Sequence, residues 1–210
     1  MITANFATHK ARRKWVDKAI NSVINQVDLV RVYYNDYTPK KRNDIVQITG
    51  KDLTDRGKFF TWGEDETFLS CDDDILYPQD YVKDITDGLN RHPECIVSYH
   101  GRKLLGKGRN YYRGHKGYHC MGNVENDVQI DVPGTGVMAF NTSYFEPDNL
   151  REYDKMVDIL IALEAKNEGV PVWCLKHRQG WIKILTNVKD IYSEMVGNCD
   201  IQSRLADELI

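Results

Sequence analysis

The stretch FLSCDDDILYPQDYV, Phe68 to Val82, runs a short apolar segment straight into three adjacent carboxylates, Asp72, Asp73 and Asp74. Ionised aspartates side by side repel one another, and aspartate is poor in strands and in helix interiors, so neither propensity nor packing asks for this arrangement. Something outside the chain is expected to compensate. One reading is a solvated turn in which an aspartate caps a helix that Pro78 helps to begin. Against it, Phe68, Leu69 and Cys71 read as a buried strand, and open α/β sheets bind ligands just beyond the carboxyl ends of such strands. An Asp-x-Asp at that place suits a hard divalent cation, Mn²⁺ or Mg²⁺, which would in turn bind a diphosphate.

Outward from this strand, strand-like and helical patterns alternate, which predicts an α/β domain with a central mixed, mostly parallel sheet flanked by helices. Strands are expected to start at Met1–Ala4 and to cover Leu29–Tyr34, Ile45–Ile48, Thr67–Cys71, Ile96–His100, Val137–Phe140 and Val170–Leu175. Val16, Ala19, Ile20, Val23 and Val27 share a helical stripe, and further helices are expected over Pro78–Asn90, from about Glu152 to Lys166, and after about Val188. The 210 residues read as one domain. A nucleotide-binding part would fill about residues 1–100, and an acceptor-side part about 101–185.

Composition narrows the function classes. Lys and Arg number 28 against 31 Asp and Glu, a net charge of -3, so no overall basic field calls for nucleic acid or an anionic membrane. Five widely spaced cysteines without a C-x-x-C pair argue against a disulfide framework and a zinc knuckle, and fit a reducing compartment. No stretch approaches the roughly 20 apolar residues of a membrane-spanning helix, and the expected location is cytoplasmic.

Several polar groups are expected at strand ends on one sheet edge: Thr3 and Asn5, Asn35 and Asp36, Asp72 to Asp74, and His177 with Arg178. Asp158 lies between Met156-Val157 and Ile159-Leu160-Ile161, on a helix apolar nearly all round. A carboxylate buried there is costly unless it faces a partner or a wet cleft; the alternative is an aspartate that interacts with the helix dipole. From Gly101 to Gly122 six cations and six glycines mix with Tyr111, Tyr112, Tyr118, His115 and His119, uninterrupted by any acid. Such a segment reads as a loop that stacks on nucleic-acid bases or sugar rings, or as a surface loop without a ligand.

GKFFTWGEDETFLSCDDDI resembles the exostosin-type pattern of GT-A glycosyltransferases, and KMVDILIALEAK is similar to that family's acidic helix. The likeness extends to viral members with a compact N-terminal GT-A domain inside a longer polypeptide, which implies a setting in capsid-glycan synthesis in the host cytoplasm. The resemblance implies a UDP-sugar donor, a saccharide acceptor and Mn²⁺ or Mg²⁺ as cofactor, with no nucleic-acid partner. It assigns Asp72 to the ribose side of the donor and to the metal, Asp74 to the metal, and Asp73 to a supporting role. Asn35 and Asp36 match the strand end that reads uracil, and Lys58 stands where the family has an arginine, keeping the charge but losing the fork geometry. Asp158 becomes the candidate catalytic residue, His177 a third metal ligand, Arg178 and Lys58 diphosphate contacts, and the Gly101–Gly122 segment an acceptor loop. Exostosin likeness favours retention at the anomeric carbon. A non-catalytic GT-A-like module that binds nucleotide or carbohydrate is the competing expectation.

Overall fold

The computed structural model describes residues 1–147, 150, 155–185 and 199–210. Its elements follow the order β1 (Ile2–His9), α1 (Val16–Val23), β2 (Leu29–Asn35), β3 (Val46–Gly50), β4 (Thr67–Asp72), β5 (Ile75–Leu76), α2 (Tyr81–Arg91), β6 (Ile96–Ser98), β7 (Gly101–Leu104), β8 (His115–Tyr118), β9 (Val128–Ile130), β10 (Val132–Pro133), β11 (Val137–Asn141), α3 (Val157–Glu168), β12 (Val172–Cys174), β13 (Lys183–Ile184) and α4 (Asp200–Glu208). Short 3-10 turns cover Lys10–Arg12 and Thr54–Phe59.

The main sheet has eight strands in the order β3-β2-β1-β4-β11-β6-β12-β9. Strands β3, β2, β1 and β4 are mutually parallel, β11 runs antiparallel between β4 and β6, and β12 is parallel to β6. Because side chains alternate across a strand, each central strand feeds two cores. Leu69 and Cys71 of β4, Val97 of β6, and Val137 and Ala139 of β11 face the core shared with α1 and α2. Phe68, Ile96, Met138 and Phe140 face the opposite core, which holds Ile159, Ile161 and Leu205 of α3 and α4. Phe59, Phe68 and Phe140 stack in a row there, with ring centroids 5.5 and 5.0 Å apart.

Local chemistry explains the helices. Val16, Ala19, Ile20 and Val23 form the buried stripe of α1, while α3 buries residues nearly all round because the sheet and α4 enclose it. It ends at Gly169, whose φ of 74° is the left-handed conformation that glycine adopts without a Cβ penalty. In α2, Gly88 lets Leu175 close on the helix: a Cβ there would collide with the leucine side chain.

Three expectations are corrected. The Gly101–Gly122 segment is no open loop: β7 and β8 pair within it, and β10 adds a third strand. Backbone bonds from its turn, such as Gly114 N–H to Asn110 C=O at 2.7 Å, hold residues whose composition suggested only a loop. Helix α2 begins at Tyr81, after Pro78 accepts the Tyr81 N–H at 3.1 Å. Helix α3 starts at Val157, not Glu152, which lies outside the described residues, as does Val188, the expected start of the last helix. All five cysteines are free and buried. Among the described residues no helix is long and apolar enough to cross a membrane.

Candidate active site

Parallel pairing places the carboxyl ends of β1, β2 and β4 on one edge of the sheet: Ala7 lies opposite Asp72, and His9 opposite Asn35. Because β11 runs the other way, the turn that precedes it, Gly134-Thr135-Gly136, reaches the same edge. The end of β6 brings His100, and the start of α3, which leads back into β12, brings Asp158.

Each of the three aspartates has its own environment. Asp72 pairs with the buried Lys58 Nζ, which also donates to Thr135 C=O at 3.3 Å. Burial alone would raise the Asp72 carboxyl, but Lys58 and, farther off, Arg12 and His100 hold it below the usual carboxylate range. Burial opposes the charge on Lys58 as well, yet Asp72 keeps its pKa raised. Asp73 accepts from Thr8 Oγ1 at 2.6 Å and Arg12 Nη1 at 3.1 Å. Asp74 pairs with the same Nη1. Burial and the neighbouring Asp72 and Asp73 outweigh Arg12, so the Asp74 carboxyl is pushed up to about 6. The cluster is short of positive charge even with two internal cations in place.

A methyl group at Gly136 would collide with the Asp72 carboxylate, so only glycine lets the backbone approach so closely. Tyr77 O–H, which donates to Gly136 C=O at 2.7 Å and accepts the Asp72 N–H at 2.7 Å, ties the two segments together.

Asp158 accepts from Arg102 Nη1 at 2.8 Å and Tyr111 O–H at 2.9 Å. Arg102 comes from β7 and lies over the Tyr111 ring, 4.8 Å from its centroid. Asp55, whose carboxyl is raised by burial, interacts electrostatically with both Lys58 and Asp158. His100 does so with Arg102 and Asp72, and burial and the neighbouring cation lower its imidazole to about 3. Among these groups the direct pairs are Lys58 with Asp72 and Arg102 with Asp158.

Other predicted residues lie elsewhere. Thr3 and Asn5 are early in β1, four and two positions before the Ala7 that faces Asp72, so Thr3 is roughly 13 Å back along the strand at about 3.3 Å per residue. Both are buried in a network with Glu66 and Arg31, in which Thr3 Oγ1 donates to Glu66 at 3.0 Å and Asn5 Nδ2 donates to Thr3 at 3.0 Å. Thr8 and Arg12 occupy the edge instead, because β1 extends to His9. Asn35 reaches the edge, but its side chain pins the next turn, donating to Thr54 C=O at 3.0 Å and accepting Leu53 N–H at 2.9 Å. Asp36 follows it, exposed, at a φ of 54°.

His177 is buried, with Nδ1 2.8 Å from Leu175 C=O and Nε2 3.0 Å from His119 C=O. Both ring nitrogens therefore face backbone carbonyls, and neither is turned outward to ligate a cation. Arg178 is exposed on the turn closed by Trp181 N–H. Downstream, Leu185 N–H reaches Asp74 C=O at 2.6 Å.

Among the described residues, no group of three His, Cys, Asp or Glu side chains is poised around a metal position. Two carboxylates still fit Mg²⁺ or Mn²⁺, which commonly keep waters and take substrate phosphates as the other ligands.

No family model matches the sequence, and no curated protein matches it. Among solved structures the chain is similar to TarS of S. aureus, a glycosyltransferase, with a TM-score of 0.55 and 15% identity over 99% of this chain and 42% of that one. The fold is GT-A-like. A second TarS structure, residues 1-349, has a TM-score of 0.49 and 13% identity over 85% of this chain and 58% of that chain. The chain thus spans less than two thirds of either TarS chain. In the GT-A-like frame the Asp72–Asp74 edge is the open carboxyl end of the central sheet, where α/β folds bind ligands.

Proposed function

We propose that the chain is a metal-dependent glycosyltransferase that moves a hexose or deoxyhexose, of the glucose or rhamnose type, from a UDP-sugar to a hydroxyl of a saccharide. The observation that carries this reading is the pair Asp72 and Asp74 at the carboxyl edge of a GT-A-like sheet, with the buried Lys58 paired to Asp72. Asp72 and Asp74 would hold Mn²⁺ or Mg²⁺. Such a cation, when bound, neutralises charge on the departing diphosphate.

The chain's own residues do the rest. Lys58 sits where it can share the diphosphate charge, and Asn35 with Asp36 forms the edge where the base would lie. In the transfer, the bond from the anomeric carbon to the diphosphate oxygen breaks, with its electron pair leaving on UDP. A bond forms to the acceptor oxygen, whose proton passes to the departing diphosphate on a retaining path or to Asp158 on an inverting one. Asp158, oriented by Arg102 and Tyr111, stabilises the oxocarbenium-like centre on a retaining path, which the exostosin likeness favours, or takes that proton on an inverting one. The β7–β8 hairpin supplies the acceptor side.

A thermal-shift panel of UDP, GDP and CMP with and without Mn²⁺ tests the reading, since a ligand that binds only the native state raises its melting temperature. UDP with Mn²⁺ should stabilise most, and Asp74→Ala should remove the metal-dependent part. Equal stabilisation by GDP would overturn the donor assignment. The engagement of Asp158 by both Arg102 and Tyr111 favours a second reading, a module that binds nucleotide without transfer; absence of hydrolysis with any UDP-sugar would select it.

A further inference from the structure

We propose that Arg12 is a resident counter-ion, which holds Asp73 and Asp74 in the ligand-free protein and leaves Asp74 when a divalent cation arrives. The inference rests on the metal reading of Asp74 given above.

Three adjacent aspartates need compensation, and the one of them that Lys58 pairs with is Asp72. Arg12 Nη1 serves the other two, 3.1 Å from Asp73 Oδ1 and still closer to Asp74 Oδ2. All three side chains are largely shielded from water, with 12% of Arg12, 7% of Asp73 and 14% of Asp74 exposed, so this is no ordinary surface pair.

The two carboxylates are not held equally. Asp73 also accepts the Thr8 hydroxyl at 2.6 Å and stays anchored if Arg12 moves. Among the described residues the Asp74 carboxylate is bonded to Arg12 alone. Arg12 alone of this turn is shielded, and Lys10, Ala11, Arg13 and Lys14 around it are exposed. Little packing therefore opposes a shift of this turn.

A guanidinium and a divalent cation repel one another and compete for the same carboxylate oxygens. Metal binding to the protein alone must break the Arg12–Asp74 pair and leave the arginine with Asp73 only, beside a new positive charge. A diphosphate offers that arginine a new anionic partner at the same sheet edge. Arg12 thus weakens the binding of metal alone and couples metal binding to nucleotide binding.

Calorimetric Mn²⁺ titration of the full chain, with and without UDP, tests this on wild type, Arg12→Gln and Asp74→Asn. Arg12→Gln should bind Mn²⁺ alone roughly tenfold more tightly than wild type, since a unit positive charge has been removed from beside the site. The gain should shrink when UDP is present. A merely structural arginine predicts the opposite, a loss of affinity. Asp74→Asn should abolish binding, which locates the metal. If wild type with UDP binds Mn²⁺ through Asp74 but Arg12→Gln gains nothing on its own, this inference falls and the metal reading stands. If neither protein binds Mn²⁺ even with UDP, both fall. Should Arg12→Gln not fold, Arg12→Met keeps the alkyl stem and also removes the charge, and should show the same gain; a folded Arg12→Met without gain overturns the proposal.

Discussion

Arg102 on β7 donates to Asp158 on α3 at 2.8 Å, which ties the small three-stranded sheet to the helix that covers the main one. The pair is only partly open to water, with 12% of Arg102 and 26% of Asp158 exposed. Asp158→Asn keeps volume and hydrogen-bonding capacity but takes the negative charge from Arg102. Stability should drop by roughly 1–3 kcal/mol, as for a shielded charge that loses its partner. Affinity for UDP with Mn²⁺ should stay near wild type, because Asp158 contacts neither Asp72 nor Asp74. Turnover of UDP-sugar, measured even as slow hydrolysis, should decrease by about 10²-fold, typical of a positioned electrostatic or acid-base group. A folded variant that turns over at the wild-type rate would make Asp158 a structural residue.

Gly136 sets the position of Asp72 from the neighbouring strand end. In Gly136→Ala the new methyl group would meet the Asp72 carboxylate, and that side chain would have to leave Lys58. The fold should survive, with a loss of roughly 1–3 kcal/mol from overpacking. Metal-dependent stabilisation by UDP should largely disappear in the thermal-shift assay, and unchanged stabilisation would count against Asp72 as a ligand.

Because the Asp74 carboxyl lies near 6, proton and metal compete for it in an accessible pH range. The Mn²⁺-dependent part of UDP stabilisation should be large at pH 7.5 and fall as the pH drops through about 6. Stabilisation that stays constant from pH 7.5 to 5 would argue that Asp74 does not hold the metal.

Much of the fold was legible because its core strands carry continuous apolar runs and its helices apolar stripes. Phe68 to Asp74 alone marked a central strand and its carboxyl edge. What stayed hidden depends on tertiary contact. The hairpin around Arg102 to Tyr118 is polar, and its order comes from β10 and from Asp158, which are distant in sequence. Strand β1 continues past Ala4 to His9, so polar Thr3 and Asn5 suggested a strand end where the chain instead buries a network around Glu66. Thr8, Arg12 and Asp55 were missed for the same reason. The basic run HKARRK, only a charge run in sequence, gave no sign that Arg12 alone turns inward.

His100 gives the last prediction, and its sign can be worked out. Its imidazole falls to about 3 in the fold because burial and the nearby Arg102 disfavour the charged form, whereas an unfolded histidine takes up a proton near its ordinary value of about 6.5. Between these values the unfolded chain binds more protons, so the contribution of His100 to stability is complete above about pH 6.5 and is lost as the pH falls toward 3. Asp74 acts oppositely, since its raised carboxyl takes up a proton in the fold first. Comparing wild type with His100→Gln cancels Asp74 and every other group common to both. The variant should lose less stability than wild type between pH 7 and 5, by roughly 1–2 kcal/mol in denaturant melts. Parallel stability curves for the two proteins over that range would show that His100 is not held neutral at the edge of the site.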